Sequence, residues 1–98
     1  MREAKIVIPD NYNDGKPIDG AWRDQFEAAL VDRFNGFTKH SASGAWAGPN
    51  GVQIEPVTIY IVACSSSRAV QAFAEQVKRD LDQQAVYIVR PSGDVQFI

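Results

Sequence analysis

Much that usually betrays a function is scarce in this chain. It has one cysteine, one histidine and one methionine. A lone Cys64 makes no internal disulfide and excludes a multi-cysteine metal site. A lone His40 excludes a paired-histidine site, and no carboxylate stands at a ligand spacing from it. Charge of one sign is missing too: ten Lys and Arg are scattered among twelve Asp and Glu, for a net charge of −2. Duplex-binding proteins advertise a basic stripe and acidic mimics a large negative excess, so nucleic acid is not an expected partner. The longest apolar run falls far short of the roughly 20 residues a membrane helix needs. The opening MREAKIVIPD shows no signal-peptide pattern. GxGxxG and the Walker phosphate loop are absent, which argues against a dinucleotide fold or an NTPase.

What is present is core-forming material. At 98 residues, 45% hydrophobic and 10% aromatic, the chain is expected to form one domain, 1–98, around one core. Ala4 to Pro9 alternates as a strand that proline ends. DNYNDGKPIDG reads as a long turn, with Asp10, Asp14 and Asp19 in turn and capping roles rather than a calcium loop. Asp19 is placed to cap a helix over Gly20–Asn35 with Trp22, Phe26, Ala29, Leu30 and Phe34 on one side. Asn35-Gly36 supplies its left-handed end. Phe37 to Ala47 is a second strand, expected to be irregular at Gly44. A hairpin turn at Pro49-Asn50-Gly51 leads to a long third strand, Val52–Cys64, where Pro56 predicts a bulge or an edge. Ser65-Ser66-Ser67 opens a second helix to about Gln84, striped by Val70, Phe73, Ala74, Val77 and Leu81. AVYIVR is a fourth strand, Pro91 to Asp94 a turn, and VQFI a short closing strand.

This order is β-α-β-β-α-β with a terminal β extension. It predicts an α+β, ferredoxin-like sandwich, two helices on one face of an antiparallel sheet. The helices are expected to cross between strands that are parallel neighbours. Ile6, Ile8, Ile59, Ile61, Val86 and Ile88 are assigned to the helix-covered face. Lys5, Val7, Thr58, Tyr60, Val62, Tyr87 and Val89 go to the other, which is too apolar to stay wet. A second copy of the chain or a ligand is therefore expected against it.

The chemistry-bearing residues are few. Cys64 to Arg68 enters a helix from a strand, but a phosphatase-type loop spaces its Cys and Arg more widely and uses glycines, so a buried structural cysteine is expected. Ser66, Ser67 and Arg68 suit either N-capping or weak anion binding. The element order also matches RNA-recognition modules, yet their basic, aromatic signature strand is missing. Trp46 stands among small residues, Ser41 to Gly48. It either stacks on a planar ligand or folds over its hairpin to plug its own core. Lys39, His40 and Arg90 would supply charge around it, and Tyr60 and Tyr87 further aromatic surface.

Phe34-Asn35-Gly36-Phe37-Thr38, Gly44-Ala45-Trp46, Asn50-Gly51, Glu55-Pro56-Val57 and the ending from Gln83 to Ile98 resemble a group of small, mostly uncharacterised phage and bacterial proteins. The resemblance covers the last two-thirds of the chain. It implies a compact accessory protein, not a metabolic enzyme, of the kind phages use against host defences. The reading at this level is a non-enzymatic, self-associating protein without a cofactor, in the host cytoplasm if phage-encoded. It would capture a small anionic, nucleotide-like ligand through Trp46, Lys39, His40, Arg90, Tyr60 and Tyr87. The alternative is an inhibitor that docks on a host protein through the open sheet face or the Trp46 hairpin.

Overall fold

Eight residues of alternating burial, Arg2–Pro9, form β1 at the centre of the molecule. The computed structural model describes all residues, 1–98. Helix α1 (Gly20–Phe34) follows, started by Asp19, whose side chain accepts from the Ala21 N–H at 3.0 Å. It ends where Asn35 turns left-handed, φ 67°, and returns its N–H to the Val31 carbonyl. Strands β2 (Thr38–Gly48) and β3 (Gly51–Cys64) make a long hairpin. Its tip is Pro49-Asn50, and the positive φ falls on Gly51, at 113°, a conformation that costs glycine little.

Ser66 then caps α2 (Ser67–Asp80), its hydroxyl accepting from the Ala69 N–H. Lys78 and Arg79 in the last turn complement the helix dipole. Short β4 (Tyr87–Val89) and β5 (Val95–Phe97) close the chain.

The five strands lie in the order β2-β3-β1-β4-β5, every neighbouring pair antiparallel. This is the expected α+β architecture with its β extension. One detail is corrected: the strands joined by each helix are not neighbours. β3 lies between β1 and β2, and β1 lies between β3 and β4. Each crossover skips a strand, and the skipped slot is filled antiparallel.

The faces of β3 are also corrected. Ile6 stands opposite Tyr60, Ile8 opposite Thr58 and Ala4 opposite Val62, and directly paired residues share a face. Thr58, Tyr60 and Val62 therefore face the helices, while Ile59 and Ile61 join Lys5 and Val7 on the open side. The stretch from Val57 to Cys64 is apolar at both parities, so alternation alone does not orient it. Register does.

The core beneath the helices is one cluster of 16 buried residues. Phe26 is its hub, stacked on Trp22 at 5.1 Å and edge-on to Tyr60 at 5.4 Å and to Phe73 at 5.9 Å. Cys64 is buried within it.

The β2–β3 pairing runs unbroken from Thr38↔Ile61 to Gly48↔Gly51. Neither a bulge at Pro56 nor an irregularity at Gly44 interrupts it. Pro56 is tolerated because β1 has just ended beside it: Pro9 pairs with Val57, and the Pro56 carbonyl accepts from the Asp10 N–H. The facing carbonyl, that of Asp10, accepts from the Ile18 N–H at 3.0 Å and so does not need the donor that proline lacks. Beyond this point β2 and β3 project as a two-stranded arm, with Val52 73% and Ile54 75% exposed.

Candidate functional site

The open face holds a second aromatic group. Trp46, Tyr87 and Phe97 all point to it, because Val7 pairs with Ile59 and shares a row with Tyr87, and Tyr87 pairs with Phe97. Ring centroids are 6.4 Å apart for Trp46–Tyr87 and 5.4 Å for Tyr87–Phe97. Val57 forms a floor, 3% exposed yet outside the main core cluster.

The Trp46 indole lies along its own strand, over Gly44. A Cβ at Gly44 would sit 2.8 Å from Trp46 Cζ2 and 2.9 Å from Nε1. Gly44 pairs with Glu55, so the indole N–H reaches that carboxylate and donates to Glu55 Oε1 at 2.9 Å. Trp46 thus lies away from the core and does not plug it.

Around these groups is a cleft of about 510 Å³, a size suited to a nucleoside-sized ligand. Val7, Pro9 and Val57 lie at its base, and Asn13, Asp82 and Gln83 at one rim. That rim is braced by Asn13 Nδ2 donating to the Asp82 carbonyl at 2.8 Å and Gln83 Nε2 donating to Asn13 Oδ1 at 3.1 Å. The lining contains two carboxylates, Glu55 and Asp82, and no Lys, Arg or His. Such a site repels phosphate and attracts a cation. It has the aromatic walls on which cations and planar rings both settle.

Of the six residues grouped from sequence, the fold brings only Trp46 and Tyr87 together. Tyr60 is in the core on the other face, where its hydroxyl donates to Glu27 Oε2 at 2.6 Å and accepts from Arg23 Nη1 at 2.9 Å. Lys39 is on that side as well, with Nζ 2.6 Å from Glu27 Oε2. His40 is exposed on β2 and lines a separate cleft of about 450 Å³ with Asp10, Arg23 and Lys39. Arg90 is tied to Gln71 and Gln96. Ser66 is occupied as the cap, and Ser67 and Arg68 flank a shallow surface depression beside Arg90.

The Glu27–Tyr60 network perturbs both groups. Burial, then the hydrogen bond to Glu27, pushes the Tyr60 phenol up to about 12, with Arg23 opposing. Burial works to raise Glu27, but hydrogen bonds from Lys39 and Tyr60 and the charges of Lys39 and Arg23 hold it below the usual carboxylate value. These cations are engaged with carboxylates in tying α1 to the sheet.

Glu55, Phe97 and Asp82 were not singled out by sequence reading. For Glu55 a signal exists: counting back from a turn at Pro49-Asn50 places it opposite Gly44. Phe97 and Asp82 join the cleft only through the packing of the C-terminal half.

No protein-family model matches the sequence, and no curated protein does. Two solved structures match in fold. One is a phage SAM lyase in complex with S-methyl-5'-thioadenosine, at TM-score 0.74 and 18% identity, covering 98% of this chain and 87% of that one. The other is a phage SAM lyase in the apo state, at TM-score 0.71 and 18% identity, covering 98% and 86%. At that identity the likeness establishes the fold. The phage neighbours agree with the phage side of the sequence resemblance. They run against the expectation of a non-enzymatic binding protein. Both neighbours, which share the fold over nearly the whole chain, are lyases.

Proposed function

We propose that this chain is a lyase that cleaves SAM in the cleft between Trp46, Glu55, Tyr87 and Phe97. The observation that carries the reading is the lining: three aromatic side chains and two carboxylates without one basic group. SAM has a flat adenine for stacking and a net positive charge, from a sulfonium and an ammonium against one carboxylate. An anionic nucleotide fits this site badly.

In the reaction the bond from sulfur to the aminobutyrate γ-carbon breaks, and its electron pair goes to sulfur. Sulfur leaves as the neutral thioether of S-methyl-5'-thioadenosine. The γ-carbon is satisfied without water. Either the substrate's own carboxylate closes a lactone, or a base takes a β-proton as a double bond forms. Apolar aromatic walls favour a step in which positive charge on sulfur disappears. Glu55 offers its anion to the cationic part of the substrate, an attraction that weakens once sulfur is neutral and so eases product release.

The test is incubation of the purified chain with SAM, with nucleoside products followed by chromatography. Release of S-methyl-5'-thioadenosine is expected, and the amino-acid product separates the two routes. No release by the parent chain, or undiminished release by Glu55→Gln, overturns the assignment.

The proposal includes a homo-oligomer working in the host cytoplasm as a phage anti-defence protein that removes the cell's methyl donor. Self-association is supported by the exposed arm residues Val52 and Ile54, and by Val95 (54% exposed) and Phe97 (58%) at the far side of the sheet. Light scattering that returns the mass of one chain would overturn that part.

A further inference from the structure

A glycine in mid-strand weakens the strand and marks a place where something approaches closely. In β2 that something is the chain's own indole. The room left by the missing Cβ of Gly44 is filled by Trp46, and only with the ring in that place does its N–H meet Glu55 Oε1 at 2.9 Å. The main core does not use this arrangement. All three residues are half-buried, and Glu55 keeps its second oxygen for the cleft.

We infer that Gly44 is a specificity-determining positioning residue: by seating Trp46 against the strand it fixes Glu55 over the aromatic cleft, and this separates a cationic adenosyl sulfonium from its neutral thioether product. The inference rests on the SAM-cleaving reading and adds what that reading leaves open, namely how one cleft prefers substrate to a product sharing its whole adenosine half. Stacking on Trp46 and Tyr87 holds both molecules alike. A fixed carboxylate holds only the cation, and its advantage depends on orientation, since a mobile surface carboxylate is better solvated and less selective.

Gly44→Ala is the decisive variant because it adds one methyl group at a residue that itself touches no ligand. Binding of the aza analogue of SAM, whose protonated N-methyl nitrogen replaces the sulfonium and resists cleavage, and of S-adenosylhomocysteine and S-methyl-5'-thioadenosine is measured by calorimetry on the parent, Gly44→Ala, Trp46→Phe and the double variant. S-adenosylhomocysteine keeps the amino-acid tail but has neutral sulfur, so it separates the sulfonium from the ammonium. In the parent the cationic aza analogue binds more tightly than either thioether. In Gly44→Ala that preference falls by roughly tenfold, while the variant stays folded by circular dichroism. Trp46→Phe, which lacks the N–H, loses the same preference, and the double variant loses no more, as expected for residues acting through one contact. An unchanged preference in folded Gly44→Ala, or losses that simply add, overturns the inference and leaves the lyase reading intact. A parent chain that binds none of the three overturns both. Should Gly44→Ala fail to fold, the preference in Trp46→Phe decides alone.

Discussion

On the helix-covered face Phe26, Tyr60 and Phe73 meet at 5.4 and 5.9 Å. On the opposite face Trp46, Tyr87 and Phe97 meet at 6.4 and 5.4 Å. The spacings are alike, but the polar atoms are used differently. In the core, Tyr60 is fully buried and its hydroxyl is closed off by Glu27 and Arg23. On the open face the one polar link made by these three rings is Trp46 to Glu55, and it leaves carboxylate oxygen and ring surface facing a cleft. Aromatic content therefore does not distinguish a core from a site. What distinguishes them is whether the polar groups are satisfied inside the chain or left directed outwards.

Substitutions on the two faces should separate stability from activity. Phe26→Ala, which empties the hub of the core, is expected to cost about 3–5 kcal/mol in a denaturant melt. Glu55→Gln should leave that melt unchanged and lower SAM turnover by roughly 100-fold, the scale of losing one charged group at a reacting centre. A melt shifted as much as that of Phe26→Ala would mean that the open face is a second core.

Tyr60→Phe tests the polar side of the comparison, with an expected loss of about 1–2 kcal/mol near neutral pH. The phenol is held at about 12 in the folded chain against 10.0 in the unfolded one. Its contribution is thus complete below pH 10 and declines as pH rises toward 12. The parent should lose stability over that window, and Tyr60→Phe should lose less. Glu27 has the opposite sign: held below 4.5, it contributes above that pH and its share is lost as acid protonates it. Melts across both limbs check the signs. The smallest effect on the single chain is expected from Val52→Thr with Ile54→Thr, within about 0.5 kcal/mol for such exposed sites. Their effect should appear instead in self-association, read by light scattering.

Much of the fold was legible along the chain. Asp19 and Asn35 bound α1, Ser66 caps α2, and the stripes of Phe26, Leu30, Val70 and Val77 lie where 3.6-residue periodicity puts them. The candidate site was legible only in part. Trp46 stood out as a large ring in a run of small residues, and Tyr87 was placed on the right face. Lys39, His40 and Arg90 were grouped with them by charge, but Lys39 turns to the helix-covered face, His40 lines a separate cleft with Asp10 and Arg23, and Arg90 is held by Gln71 and Gln96. The resulting preference for an anion finds no basic residue in the lining of the Trp46 cleft.

Local rules decide caps, turns and helix stripes because each depends on residues within one or two turns of chain. The sequence by itself therefore determined the elements, their order and the class of the fold. Which face Tyr60 turns to, what Gly44 makes room for, and that Glu55 meets Trp46 near Tyr87 and Phe97 were decided by tertiary structure. Each depends on strand register, and a strand as apolar at odd positions as at even ones carries no local record of the side it will bury.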